Sequence, residues 1–197
     1  MFDAVSSHRP WGVSLPIAAS TTQFPLTADR IVELTLDPPS PAPLPETLEA
    51  IKRADLISVG PGSLYTSLIT NLLVDGIPAA LAHARGLRVF VCNLMTQANE
   101  SLNLTAADHI ERIYEHTRAP IFDCALVNTA PFSPETVARY QAEGASPIVA
   151  DIERIQALGV RCIAGDFAAE GAVVRHAAGR VTGALLALGR TAYLARS

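Results

Sequence analysis

The chain has 197 residues, of which 49% are hydrophobic, 17% charged and 6% aromatic, and its formal net charge is −4. This length suffices for one globular domain with a sizeable core and leaves little room for two. The acidic balance, with one lysine and scattered arginines, excludes the clustered basic surface that binding to a nucleic-acid polymer requires. No apolar run approaches the roughly 20 residues of a membrane-spanning helix, and residues 1–12 do not resemble a secretory leader.

The cysteines indicate a reducing compartment. Cys92, Cys124 and Cys162 are odd in number, show no CxxC spacing, and each stands in a short apolar run. This pattern is typical of small buried thiols on strands. Together with the missing leader, it predicts a cytoplasmic location.

Beyond residue 30, short β-branched runs alternate with longer segments of helical period, which predicts an α/β domain with a mostly parallel sheet. The predicted strands are 30–36, 56–60, 88–93, 124–129, 147–150 and 160–164. The predicted helices are 45–53, 67–83, 105–117, 134–143, 152–158 and 178–195, with Ser67 and Pro134 suited to first turns.

Two segments fall outside this alternation. Residues 37–45 contain five prolines, which predicts an extended connector. Residues 1–29 show no sustained period and are predicted to form an irregular N-terminal arm with one short strand near 12–17. The domain itself is therefore expected to span residues 30–197.

The first candidate ligand loop follows the predicted strand 56–60, where an open parallel sheet binds its ligands. Its glycines let the backbone approach a ligand closely, and its hydroxyl groups stand where the next helix presents unpaired N–H groups. A phosphate would suit that position, whereas a tight strand-to-helix turn capped by serine explains the same residues equally well. The loop consists of Gly60, Pro61, Gly62, Ser63, Leu64, Tyr65, Thr66 and Ser67.

The second candidate loop follows the predicted strand 88–93 and runs to Ser101. Asn93, Thr96 and Gln97 supply neutral amide and hydroxyl groups, the kind that recognise a sugar or a base by hydrogen bonds. A solvated polar loop is the alternative interpretation.

Three further polar residues are candidates for the same edge of the sheet. Asp108 suits the start of a helix, His109 either faces the cleft or is a buried histidine with its bonds satisfied, and Asn128 ends the predicted strand 124–129. His109 and His116 are seven residues apart on one helix, roughly 10 Å, which excludes a shared zinc ion. No nucleophile stands beside a base, so neither a catalytic residue nor a metal ligand is predicted.

Four segments of the chain resemble the C-terminal half of the CofD/YvcK-like proteins, a family that includes 2-phospho-L-lactate transferases and YvcK-type gluconeogenesis factors. The segments are DLISVGPGSLYTSLITNLL at 55–73, VCNLMTQANESLNLTAADHI at 91–110, ALVN at 125–128 and VRH at 174–176. The combination of GPGSLYTS with NLMTQ is similar to the YvcK-type branch in particular.

The resemblance implies a three-layer α/β/α Rossmann-like fold that binds a nucleotide or nucleotide-sugar. Carried over by position, it implies ligand contacts at residues 60–67 and at Asn93, Thr96, Gln97 and Glu100. YvcK-type members are implied to be regulators that bind UDP-sugars, with links to carbon metabolism and cell shape and no assigned reaction.

Two other functions stay open. The first is a transferase similar to the phospholactate enzymes, which would use a nucleoside-diphosphate donor; Mg²⁺ is expected only with such a ligand. The second is an interaction module that binds no nucleotide at all.

One departure from the family concerns the N-terminal region. Family members begin with a glycine-rich strand-to-helix turn, whereas Gly12 is the only glycine before Gly60 here, so the chain is predicted to lack this glycine-rich unit. A truncated or split product, a subunit that completes its site with another chain, and a diverged remnant all explain the difference. Since the missing strands would leave a sheet edge uncovered, we expect association with a second copy or with an N-terminal half.

Overall fold

A computed structural model describes residue 31, residues 34–98 and residues 100–195. The predicted arm 1–29, with its strand near 12–17, lies outside the described residues. Within them, four strands form one parallel sheet in the order β1-β2-β3-β4, which confirms the predicted sheet. The strands are β1 (Leu56–Val59), β2 (Leu87–Val91), β3 (Cys124–Asn128) and β4 (Arg161–Gly165), and a small antiparallel pair joins β5 (Ala168–Ala169) to β6 (Arg175–His176).

The two central strands, β2 and β3, are apolar except for Arg88 and Asn128, because helices cover both faces of a parallel sheet. In β2, Val89 and Phe90 are completely buried and Val91 nearly so. The ring of Phe90 stacks on that of Phe122 with a centroid separation of 5.2 Å. These two strands form the centre of the sheet, and their carboxyl ends determine where the loops after them begin.

Helices lie on both faces of the sheet, which confirms the predicted three-layer fold. A larger apolar cluster joins one face to α3, α4 and α6, and a smaller one joins the other face to α7 through Val181. The helices are α1 (Pro45–Arg53), α2 (Thr70–Leu72), α3 (Ile77–Ala82), α4 (Ala106–Thr117), α5 (Pro134–Ala142), α6 (Ile152–Ala157) and α7 (Ala178–Leu194), and a π-helical turn spans Leu64–Ile69.

The prediction of one helix over 67–83 is wrong at its start and in its middle. The carbonyl of Ser63 accepts hydrogen bonds from the N–H groups of both Ser67 and Leu68, so a π-helical turn begins three residues before Ser67. The helical segment ends at Leu72, and Gly76, which adopts a φ of +76°, immediately precedes α3. Ser63, not Ser67, therefore stands at the start of the helical segment.

Two predicted strands are also wrong where the structure describes them. Residues 147–150 form only an isolated bridge between Pro147 and Met95, because this segment bonds to the loop after β2 rather than to the sheet. In the segment 30–36, residue 31 and residues 34–36 are not strand, and the other residues lie outside the described part.

The cysteines agree with the buried-thiol prediction in most respects. Cys92 and Cys124 are buried and Cys162 is partly buried. Cys124 and Cys162 lie on strands, and Cys92 directly follows β2. Burial raises the pKa of the Cys92 thiol well above its ordinary value.

None of the helices in the described part of the chain combines the length and the apolar character needed to span a membrane.

Candidate functional site

The turn that follows β1 is built around Gly60. Its φ is +87°, in the left-handed region, and a Cβ atom added there would lie 2.7 Å from the backbone oxygen of Val91. Only glycine avoids both the strain and the collision. The turn after β1 consequently packs directly against the end of β2, and the peptide bond from Gly60 to Pro61 is cis.

The loop after β2 is hydrogen-bonded to this turn at consecutive positions. The Asn93 side chain accepts from the N–H of Gly62 at 3.2 Å and donates from Nδ2 to the Gly62 carbonyl at 2.8 Å. One residue further along the turn, Gln97 Nε2 donates to the Ser63 hydroxyl at 3.0 Å. The two predicted ligand loops therefore form a single continuous surface at the carboxyl edge of the sheet.

Glu100 completes this set of contacts at the start of the helical segment. Its Oε1 accepts from the backbone N–H of Tyr65 at 3.0 Å, from that of Thr66 at 3.1 Å and from the Thr66 hydroxyl at 3.3 Å. A carboxylate suits this place because the first N–H groups of a helix carry partial positive charge. Two N–H groups that the sequence analysis considered for binding an external anion, those of Tyr65 and Thr66, therefore already donate to the carboxylate of Glu100.

Leu64 and Tyr65 contribute to the surface through their backbone only. The side chain of Leu64 is completely buried and that of Tyr65 is almost so. The Tyr65 ring packs edge-on against His116 with centroids 5.9 Å apart. Burial, with smaller contributions from Glu115 and Glu100, raises the pKa of Tyr65 to about 12. Both side chains anchor the turn in the core.

The second loop is held by Thr96, which was predicted as a site residue, and by two serines that were not, Ser101 and Ser146. Thr96 is 3% exposed and exchanges hydrogen bonds with Ser146, whose carbonyl accepts from the Thr96 N–H at 2.8 Å. Ser101 is completely buried, and its hydroxyl accepts from the N–H of Gln97 at 3.0 Å. Ser146 lies 50 residues from Thr96, so no local pattern could have identified it.

The beginning of α4 is fixed by a capping box and by residues of a distant segment. Thr105 and Asp108 exchange side-chain and backbone bonds, at 2.8 Å from the Thr105 N–H to Asp108 Oδ2. Asp151 accepts from the Thr105 hydroxyl at 2.6 Å and from the N–H of Ala107 at 2.9 Å. Arg154 forms ion pairs with both Asp108 and Asp151. Asp108 is therefore a helix-start residue, as predicted, and its bonds hold the far end of the second loop.

These contacts set the pH response expected of Asp108. Burial by itself would raise its pKa, but hydrogen bonds from Thr105 and Arg154 outweigh burial and lower the pKa below its ordinary value. The bonds to ionised Asp108 stabilise the folded state. This stabilisation is complete above the ordinary aspartate pKa of about 3.9 and is lost as the pH falls through the lower folded-state pKa.

We expect Asp108→Asn to be less stable than the natural chain at pH 7, with the difference in stability shrinking below about pH 4. Urea unfolding at both pH values measures it, and a difference that grows on acidification would contradict the assignment.

His109 and Asn128 make their hydrogen bonds away from the two loops. His109 is completely buried, its Nδ1 lies 2.8 Å from the Thr105 carbonyl, and burial lowers its pKa. Its Nε2 has no hydrogen-bond partner among the described residues. Asn128 donates to the Ala130 carbonyl and accepts from the N–H of Phe167, both at 2.9 Å. The amide of Asn128 is therefore engaged in shaping the end of β3.

Comparison with known proteins identifies the family. The family model described as 2-phospho-L-lactate transferase CofD matches residues 19–168. The chain belongs to the CofD family. Within the part of this CofD-family chain that the structure describes, no group of three histidine, cysteine, aspartate or glutamate side chains is placed to hold a metal ion.

Curated relatives that are similar to this chain include gluconeogenesis factors. The chain is 40% identical over 171 residues to the gluconeogenesis factor of Halalkalibacterium halodurans, covering 86% of this chain and 53% of that protein. It is 37% identical over 173 residues to the gluconeogenesis factor of Bacillus subtilis, covering 87% and 55%. The chain thus spans about half the length of these relatives.

A similar solved structure confirms the architecture. A UPF0052-family protein from Bacillus halodurans superposes with a TM-score of 0.77 at 43% sequence identity. The match covers 80% of this chain and 51% of that one. The α/β fold of this CofD-family chain is therefore shared with an experimentally determined relative.

Proposed function

We propose that this chain binds a nucleotide-sugar, a UDP-sugar in particular, and acts as a regulatory protein of the gluconeogenesis-factor type. One observation carries the proposal: the loops after β1 and β2 are joined into one polar surface through the bonds of Asn93, Gln97 and Glu100 to the turn Gly62–Thr66. In open α/β sheets, ligands bind outside the carboxyl ends of the strands.

The chemistry of this surface favours binding over catalysis. Amides, hydroxyl groups and a close-packed glycine turn supply hydrogen bonds and close backbone approach, and the proposal needs no group that transfers a proton or attacks a substrate. The names of the curated relatives point in the same direction, since they describe gluconeogenesis factors. We extend the proposal accordingly to a cytoplasmic regulator connected with carbon metabolism and cell shape.

We also propose that the chain associates, either with a second copy or with an N-terminal half of the family fold. Among the described strands, β1 and β4 each pair on one side only, and open strand edges favour pairing with another chain. Sedimentation of the purified chain as a monomer at all concentrations would contradict this part of the proposal.

A thermal-shift screen tests the binding proposal. The full chain is heated with UDP-N-acetylglucosamine, UDP-glucose, GDP or GTP, each with and without Mg²⁺, because a ligand that binds only the folded state raises Tm. We expect a UDP-sugar to raise Tm by several degrees, and Gly62→Val to lose most of that shift. A Cβ at Gly62 would lie 3.2 Å from Ser67 Cβ, so the larger side chain forces the turn to move.

The other ligands distinguish the alternative functions. A shift with GDP that requires Mg²⁺ would favour a phospholactate-transferase-like enzyme, the activity for which the matching family model is named. The absence of any shift would contradict nucleotide binding by this chain and would favour an interaction module.

A further inference from the structure

We infer that Glu100 selects the hydroxyl-bearing part of the ligand and keeps phosphate away from the start of the helical segment. This inference rests on the proposed nucleotide-sugar site. It starts from the position of the Glu100 carboxylate, whose Oε1 is bonded to two backbone N–H groups and to the Thr66 hydroxyl. Three bonds to one oxygen fix the orientation of the whole carboxylate.

A phosphate at this position would meet a charge of its own sign. The N–H groups of Tyr65 and Thr66 that would bind it already donate to Glu100. A phosphate oxygen competing for them would lie within a few ångströms of the carboxylate, where two anions repel each other. The sequence alone leaves a phosphate at this turn open, alongside a serine-capped turn, whereas the carboxylate makes the place unsuitable for a phosphate.

Two hydrogen-bond acceptors near this turn lack a partner among the described residues: one is accessible, and the other is buried just below the surface. Glu100 Oε2 accepts none from the described residues, and it is not among their buried unpartnered atoms. Gln97 Oε1 is a buried acceptor without a partner in the described part of the chain. The amide of Asn93 uses its oxygen and one of its N–H groups in the bonds to both backbone groups of Gly62. Acceptors of this kind match the hydroxyl groups of a sugar or ribose.

The ligand orientation follows from this arrangement. The hydroxyl-rich end of a nucleoside-diphosphate sugar lies over Glu100 and Gln97, and the diphosphate lies away from them. Glu100 therefore acts as a specificity-determining residue, since it distinguishes a nucleotide that carries a sugar from one that ends in phosphate. The negative charge of Glu100 contributes to this selection in two ways. The carboxylate accepts strong hydrogen bonds from hydroxyl groups, and it repels a terminal phosphate.

The test compares UDP-N-acetylglucosamine with UDP by titration calorimetry on the full chain. The natural chain should bind the UDP-sugar more tightly than UDP. Glu100→Gln keeps an oxygen for the backbone N–H groups but removes the charge, so it should weaken UDP-sugar binding about tenfold. UDP binding should stay the same or become tighter.

Asp55→Asn is the matched control, because it makes the same carboxylate-to-amide change at an exposed residue immediately before β1, at the opposite edge of the sheet. It should bind both ligands like the natural chain. Unfolding curves of both variants without ligand establish that they are folded. The inference is overturned if Glu100→Gln binds the UDP-sugar as tightly as the natural chain does. If the natural chain binds neither ligand, the proposed function fails as well, so the two failures are distinguishable.

Discussion

Gly60→Ala is expected to lower the free energy of unfolding by about 2–4 kcal/mol and to abolish ligand binding at the turn after β1. Two costs add at this position. A non-glycine residue at a φ of +87° is strained, and the new Cβ would lie 2.7 Å from the Val91 backbone oxygen. Because that oxygen belongs to the end of β2, relief of the collision must displace the turn from the neighbouring strand.

The chain supplies a matched control for the first of these costs. Gly76 has a similar φ of +76°, but an added Cβ there would meet nothing within 4 Å. Gly76→Ala should therefore cost only about 1 kcal/mol, the usual penalty of the left-handed region. Urea unfolding of the two variants separates strain from collision. Equal losses of stability would show that the turn does not depend on close packing against β2.

Phe90→Ala is the second variant with a large expected effect, a loss of about 3–5 kcal/mol of unfolding free energy. Phe90 is completely buried in a central strand, and truncation removes its stacking on Phe122 as well as its apolar burial. A loss of this size is a large fraction of the stability of an ordinary domain. Thermal and urea unfolding measure it directly.

Leu186→Ala serves as the comparison for the loss at Phe90. Leu186 is also a large apolar residue, but it is 64% exposed on α7, so its truncation should change stability by less than about 0.5 kcal/mol. If Phe90→Ala costs no more than Leu186→Ala, the side chain of Phe90 is not part of a close-packed core, which would contradict the packing of β2 in this fold.

The sequence predicts those features that depend on neighbouring residues. The apolar runs around Phe90 and Cys124 identify the central strands because buried strands of parallel sheets are apolar on both faces. The beginning of α4 follows from Thr105 and Asp108, which stand three residues apart as a capping box requires. The location of the candidate site follows from topology, since ligands bind at the carboxyl ends of parallel strands.

The features that the sequence does not predict depend on contacts between distant segments. Glu100 bonds to Tyr65 across 35 residues of chain, so nothing near either residue reveals that a carboxylate occupies this helix start. The π-helical turn arises because the Ser63 carbonyl accepts two N–H groups, a detail of backbone geometry that side-chain periodicity does not encode. Residues 147–150 have strand propensity, but tertiary contacts pair Pro147 with Met95 outside the sheet.

Mapping the ligand surface by NMR shows directly whether the two hydrogen-bonded loops bind a nucleotide-sugar. The full chain, labelled with ¹⁵N, is titrated with UDP-N-acetylglucosamine while the amide resonances are followed. We expect the largest saturable changes at residues 62–66 and 93–100, with little change at Asp55 and Gly86 on the opposite edge of the sheet. Changes confined to that opposite edge, or the absence of saturable change at millimolar ligand, would contradict the claim that the two hydrogen-bonded loops form a nucleotide-sugar site.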